Sequence, residues 1–275
     1  MKIFDLHSDY PTAEQCANKS FHPHSVVHAF WTSELSYPLY YIKNYIIANP
    51  VTASRLYAIE DLGFVESQAQ LDSVCALPLT YASLTWNFKN SLAGGANSDG
   101  NLTDWGRHVV ATLIKNNIAI DTAHLNQKSF SELIVFVQNL NYASKKTQAK
   151  ILNSHTCLSS NYAHNRNLSH MQIEKIHSMR GIVALTPVGM FMRNDYQNAT
   201  RADFVHQIYT YCQRYGDSQL AIGTDFYGAP KIMGLECYDD FLLLADDLYK
   251  LGYKKDSIDK IFYKNAYNFY LQEKK

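Results

Sequence analysis

Residues 2–9 read KIFDLHSD, and the fold turns on this stretch. A short, mostly apolar run, Lys2–Leu6, passes at once into His7, Ser8 and Asp9. Similar short, β-branched or apolar runs recur at Val26–Trp31, Arg55–Ile59, Leu79–Thr85, Ile118–Thr122, Lys150–Asn153, Gly181–Thr186 and Leu220–Gly223. Between them lie longer segments with helical spacing. Glu34–Ala48 carries Leu35, Leu39, Ile42 and Ile46 on one face. Asp104–Asn116 follows Thr103, a residue suited to an N-cap, and Ser129–Asn139 opens on a capping Ser129. Ser169–Met179, Arg201–Arg214, Asp239–Leu251 and Ser257–Leu271 complete the set. Strand–helix alternation implies a mostly parallel sheet with helices outside. Eight units in 275 residues match the size of a closed barrel. We therefore expect residues 1–275 to form a single (β/α)8 TIM-type barrel domain. The rival is an open, doubly wound sheet. No GxGxxG follows the first strand, which removes its dinucleotide-binding form.

Composition narrows the function. Lys+Arg and Asp+Glu are 25 each, so the chain is formally neutral. That argues against general nucleic-acid binding, which needs a basic face. No stretch approaches the ~18 apolar residues of a membrane span. The start of the chain has no signal-peptide pattern, and Cys16, Cys75, Cys157, Cys212 and Cys237 are scattered without a CxxC. Reduced thiols in a cytoplasmic protein are the expectation. Only 18% of residues are charged. A carboxylate at the end of an apolar run therefore stands out.

Five of the eight runs end in a His or a carboxylate. The first ends in His7 and Asp9, the third in Glu60, the fifth in His124, the sixth in His155 and the eighth in Asp225. Residues i and i+2 of a strand point to the same side, so His7 and Asp9 could share one cation. Each residue also has an ordinary explanation. Glu60 could be the first solvated residue after its strand. His124 and His155 could be hydrogen-bonded core histidines. Asp225, flanked by Gly223 and Gly228, could cap a turn. Together they place three imidazoles and three carboxylates at the C-terminal rim, where barrel enzymes carry their chemistry. Mixed N/O donors in that number are enough for two metal ions. They suit Zn2+ most simply, with Mn2+, Fe2+ or Co2+ compatible.

At this point the chain resembles the membrane dipeptidase family, peptidase family M19, in a bacterial-type form. FDLHSDYP (Phe4–Pro11) resembles its D-x-H-x-D-x-P opening, and YAIED (Tyr57–Asp61) its I-E-G segment. SLTWNFKNSLAGGA (Ser83–Ala96) with LTDWGRHVV (Leu102–Val110) resembles its T-L-T-x-N…G-L-T-x-F-G-R block. IDTAHL (Ile120–Leu125) matches I-D-x-S-H, and NSHTCLSSNYAHNRNLS (Asn153–Ser169) matches S-H-S…H-x-R-N-L. AIGTDFYGAP (Ala221–Pro230) matches G-I-G-S-D-F-D-G, and KNAYNFY (Lys264–Tyr270) resembles the closing segment.

The resemblance implies a metallo-dependent hydrolase-like barrel with a binuclear zinc centre that hydrolyses dipeptides. His7 and Asp9 would hold one ion, Glu60 would bridge, and His124 and His155 would hold the second. Asp225 would handle the proton or the substrate's amino group. Arg166 would grip the substrate carboxylate, with Asn167 beside it and Trp86 at a substrate-contacting position. In the mammalian-type motif that last position is His, and the second Asp of D-F-D-G is here Tyr227. Indole donates only from Nε1. The position of the closing Arg is here Phe269 or Tyr270. The implied partner is a small dipeptide, with no nucleic acid or membrane. A homodimer is also implied, with Tyr37–Tyr45 as a surface that could equally be an ordinary helix face. The alternatives are another metal-dependent amide or lactone hydrolase on the same barrel, or a degenerate barrel that binds a small molecule without turnover. Specificity is expected to lie in loops such as Ala93–Leu102 and Val188–Ala199.

Overall fold

The chain is described by a computed structural model covering residues 1–9, 23–33, 35–143 and 148–271. Tyr10, Pro11, Cys16 and Glu34 lie outside the described residues. The eight apolar runs form eight strands: β1 (Phe4–Asp9), β2 (Ser25–Trp31), β3 (Arg55–Glu60), β4 (Leu79–Ser83), β5 (Ala119–Asp121), β6 (Ile151–Thr156), β7 (Ile182–Leu185) and β8 (Leu220–Ile222). Each pairs in parallel with the next, and β8 returns to β1 through Ile222 and Asp5, which closes the barrel. The expected closed barrel is therefore what the sequence builds, and the open sheet is excluded.

The helices follow from local signals. α1 (Pro38–Ala48) starts later than its apolar pattern suggests, because Pro38 sits at the first turn. Proline's fixed φ and missing N–H suit that position. Ile42 and Ile46 of α1 are buried, whereas Tyr37 and Tyr40 are more than three-quarters exposed. α2 (Gln68–Cys75) was not legible in the sequence: only Leu71 and Val74 are buried along its length, too few to set a periodicity. α3 (Asp104–Lys115) begins where Thr103 Oγ1 accepts from Gly106 N at 2.9 Å, as expected. α4 (Gln127–Ala143) starts before Ser129. Its cap is Asn126, whose Oδ1 accepts from Ser129 N at 2.7 Å. The Ser129 hydroxyl instead accepts from Gly94 N at 2.9 Å and holds the Gly-rich loop. α5 (His170–Ser178) has a reciprocal cap between Ser169 and Gln172. α6 (Arg201–Tyr215) and α7 (Phe241–Lys250) cover the last strands. None of the described helices is long and apolar enough to cross a membrane. Cys75, Cys157, Cys212 and Cys237 are free thiols.

Two apolar clusters divide the molecule. The larger lies between sheet and helices. The smaller fills the barrel interior with Phe4, Leu6, Val27, Leu56, Ala58, Tyr81, Leu152, Ile182, Ala184 and Ala221. The C-terminal segment closes it from one end. Lys255–Asp259 leads through a π-turn at Lys260–Lys264 into Asn265–Leu271. Tyr263 and Tyr270 set their rings 6.2 and 6.1 Å from Phe4. Asn265 donates to the carbonyls of Asp217 and Leu220. Polar groups are left for the opposite, C-terminal end.

Two irregularities shape that end. The β1–β2 register shifts between Asp5 and Ser8, and the β6–β7 register shifts between Asn153 and Thr156. Leu6 belongs to the interior cluster, yet His7, one residue on, meets Tyr81 and Ser154 inside the barrel. Such bulges re-aim side chains beside sites.

His28, on β2, is largely buried, and its Nδ1 has no hydrogen-bond partner among the described residues. Burial, with Arg55 nearby, lowers its pKa to about 4. The unfolded chain takes up this proton near pH 6.5, so stability is full above that value and falls as the pH drops toward 4. In urea denaturation, His28→Leu is expected to lose about 2 kcal/mol less stability than wild type between pH 7.5 and 4.5. Parallel losses in the two proteins would refute this assignment.

Candidate metal centre

The strand ends deliver their polar residues to one place. β1 contributes His7 and Asp9, and β3 ends on Glu60. His124 follows β5, His155 lies within β6, and Asp225 follows β8. His124 and Asp225 both adopt left-handed backbone, with φ of 67° and 55°. That conformation is uncommon for residues other than glycine and clusters at functional sites. It is held locally. Ala96 N donates to His124 O at 2.7 Å, and Asp225 N donates to His7 O at 2.9 Å.

Distances bind the six residues into one cluster. His7 Nε2 lies 3.6 Å from Asp9 Oδ1 and 3.7 Å from Asp225 Oδ1. His124 Nε2 lies 2.7 Å from Glu60 Oε1 and 3.0 Å from His155 Nε2. His155 Nε2 lies 3.5 Å from Glu60 Oε1. His7, Glu60 and His155 form one group with donor atoms close enough to share a cation, and His7, Asp9 and Asp225 form another. His7 Nε2 and Asp9 Oδ1 are buried with no hydrogen-bond partner among the described residues, and buried Glu60 Oε1 faces only imidazole nitrogens. Leaving such atoms unpaired is costly, and divalent cations shared with their neighbours would satisfy them. The donor set fits a metal.

Charge tells the same story. Burial favours the neutral form of Glu60, and the charges of Asp9 and Asp225 push it further, up to about 8. Burial raises Asp225 to about 7. Burial alone would lower His7, but the Asp9 carboxylate beside it and the charges of Glu60 and Asp225 raise it to about 10. The carboxylates thus draw a positive charge onto the one imidazole between them. His124 and His155 are held well below the ordinary range by burial, with Arg166 and His7 adding to it. They remain neutral imidazoles, the form that ligates metal.

Arg166 reaches in from the β6–α5 loop. Its Nη2 donates to His155 Nε2 at 2.5 Å, and its Nε has no hydrogen-bond partner among the described residues. Its guanidinium lies over the Phe191 ring, 5.2 Å from the centroid. Asn167, expected at the substrate, does not line the cavity. Its amide ties Tyr162 O at 2.8 Å to Phe191 O at 2.7 Å and so braces the loop carrying Arg166. Trp86 does line it, with its ring 5.1 Å from Trp31 and 6.1 Å from His124. The cavity holds about 290 Å³ between Asp9, Glu60, His124, His155, Arg166 and Asp225. Asn97, Val188, Met190 and Phe191 join from the two loops expected to carry specificity.

The residue pattern from residue 53 to residue 272 matches the profile of the membrane dipeptidase family, peptidase family M19. The chain belongs to that family. A dipeptidase of the fungus Claviceps purpurea, tcpJ, is 22% identical over 195 residues. The match covers 69% of this M19 chain and only 44% of that relative, so the chain spans less than half the length of the curated relative it matches. An amidohydrolase from Pseudomonas aeruginosa superposes with a TM-score of 0.80 at 18% identity, covering 98% of this chain and 95% of its own. A metallo peptidase from Rhodobacter sphaeroides, liganded with a phosphinate mimic of L-Ala-D-Ala, gives 0.76 at 16% identity, covering 98% of each chain. At those identities the likeness is one of fold.

Four residues of this M19 barrel escaped the sequence reading. Trp31 ends β2 opposite Glu60 in register, and the other strand ends drew notice because they were charged. Asn87 accepts from His124 Nδ1 through its Oδ1 at 2.9 Å. His164 lines the cavity, and its Nδ1 accepts from Arg166 N at 3.2 Å. Gly228 has no side chain because a Cβ there would lie 2.7 Å from both Asp225 Oδ1 and Asp9 Oδ2. Gly228→Ala should therefore crowd two carboxylates of the donor cluster while changing the melting temperature little. Titration of metal-free protein with Zn2+ should show affinity at least about 10-fold weaker, the range seen when ligand support is disturbed. Unchanged affinity would mean that the carboxylates move aside freely.

Proposed function

We propose that this chain is a zinc-dependent dipeptidase, a single barrel domain whose cavity holds two Zn2+ ions. The observation that supports this most is a buried guanidinium set against a cluster of metal donors within one dipeptide-sized cavity. His7 and Asp9 would hold one ion, His124 and His155 the other, and Glu60 would bridge them. Zinc bound there supplies Lewis acidity and lowers the pKa of water toward ~7.

The chain's own residues do the remainder. Arg166 is suited to a carboxylate, since a planar guanidinium can bond both its oxygens. With Arg166 beside the donor cluster, only a substrate whose free carboxylate lies close to the scissile bond can reach both, which favours two residues over longer peptides. Asp225, raised to about 7 by burial, is poised to take a proton near neutral pH and return it to the leaving amine. Asp9 and Asp225 at the rim give the substrate's ammonium group a negative surface. Trp31, Trp86, Met190 and Phe191 supply apolar walls that exclude water from the charged groups.

The deciding experiment is metal analysis of the purified chain together with hydrolysis of a dipeptide panel that includes D-residues at the C-terminal position. Two equivalents of zinc and turnover of free dipeptides are expected. Glu60→Ala should lose the binuclear loading and the hydrolysis together; a variant that keeps two equivalents sinks the bridging role. Arg166→Met should keep its metal but raise KM roughly 100-fold, about the loss expected when one member of a charged hydrogen-bonded pair is removed. Amidated dipeptides hydrolysed as well as free ones would remove Arg166 from substrate binding.

A further inference from the structure

Beneath the donor cluster lies a layer of buried polar groups that the proposed reaction does not use. Asp121, the last residue of β5, is fully enclosed. Its Oδ1 accepts from Ala123 N and from Ser154 N, each at 3.0 Å. Its Oδ2 accepts from Ser154 Oγ at 2.5 Å. Ser154 Oγ in turn lies 2.8 Å from His155 Nδ1 and 3.2 Å from His7 Nδ1.

A hydroxyl has one proton to give. Ser154 gives it to the carboxylate, its shortest contact, so toward His155 the oxygen can only accept. His155 must then carry its ring proton on Nδ1, which leaves the Nε2 lone pair facing Glu60, His124 and the Arg166 Nη2 donor, whose hydrogen bond favours the same tautomer. His7 also carries a proton on Nδ1, held by another partner. Its Nδ1 lies 2.9 Å from Tyr81 Oη, and Tyr81 gives its own proton to Leu6 O at 2.9 Å. The two imidazoles lie against each other, 3.9 Å between centroids; Ser154 Oγ reaches both Nδ1 atoms but sits nearer that of His155, while Tyr81 Oη is the nearer partner of His7.

We propose that Asp121, acting through Ser154, is a positioning residue that fixes the His155 tautomer so that Nε2 is offered to a cation. The inference rests on the metal reading of the site. Asp121→Asn tests it, because the amide is nearly the same size as the carboxylate. Two backbone N–H groups still demand the carbonyl oxygen, so the NH2 turns toward Ser154. The amide then donates to Ser154 Oγ, the hydroxyl donates to His155 Nδ1, and the ring proton sits on Nε2, where it displaces the Arg166 Nη2 donor. No proton is gained or lost overall. A metal at Nε2 must now displace that proton.

The experiment has two arms. In metal-free protein, 15N NMR of the imidazole nitrogens should show His155 protonated at Nδ1 in wild type and at Nε2 in Asp121→Asn. Competition of Zn2+ against a chromophoric chelator should show one of two equivalents weakened roughly 10- to 100-fold in the variant, with the other unchanged. If wild type takes up fewer than two equivalents, the dipeptidase reading fails, while the NMR arm still decides the relay. An Asp121→Asn protein that keeps Nδ1–H on His155, or that binds both equivalents as tightly as wild type, overturns the proposal. Should that variant not fold, Ser154→Ala takes its place. It removes the acceptor, and a mixture of His155 tautomers is expected. A pure Nδ1–H form there would equally overturn it.

Discussion

Three carboxylates facing one buried mouth set the terms for this end of the molecule. Asp9, Glu60 and Asp225 repel one another where water screens poorly, and each raises or is raised by the others. Such a cluster survives only where positive charge is brought to it. Among the described residues, the positive charge closest to hand is Arg166 and a proton on His7. Asp9 Oδ1 and His7 Nε2, without hydrogen-bond partners among the described residues, point to the same requirement. Charge balance and hydrogen-bond satisfaction, two independent criteria, thus converge on a divalent cation.

The barrel meets this requirement through backbone irregularity as much as through side chains. Regular strands would alternate inward and outward residues without exception. The register shifts in β1 and β6 break that alternation near the rim, and left-handed backbone at His124 and Asp225 turns the next two groups inward. Two of the six left-handed non-glycine residues belong to the donor cluster, and the hydrogen bonds that hold those two come from neighbouring loops and strands. Rigidity in the surrounding barrel sustains a conformation that the local sequence would not choose.

Much of this was legible in the sequence because the apolar runs are short and their polar ends abrupt. All eight strands were placed, and His7, Asp9, Glu60, His124, His155 and Asp225 were recognised as one rim. What escaped was set by long-range contact. Trp31 is an aromatic at the end of an apolar run, and only its register with Glu60 marks it as part of the cavity. Ser129 has the chemistry of a cap, but its hydroxyl is taken by Gly94 from a loop 35 residues away. Asn167 shares a motif with Arg166, yet its amide faces backbone carbonyls behind the wall. Asp121 and Ser154 read as ordinary strand residues until β5 and β6 are laid side by side.

The plug beneath the barrel bears on the order of folding. Phe4 finds Tyr263 and Tyr270 only after almost the whole chain lies between them. Closing so long a loop carries the largest entropic penalty of any contact in the fold, and topologies rich in such contacts fold slowly. The interior that supports the rim is therefore completed only when Tyr263 and Tyr270 dock against Phe4. The mouth, built from β1 and β8 among others, thus rests on a floor supplied from the opposite end of the barrel.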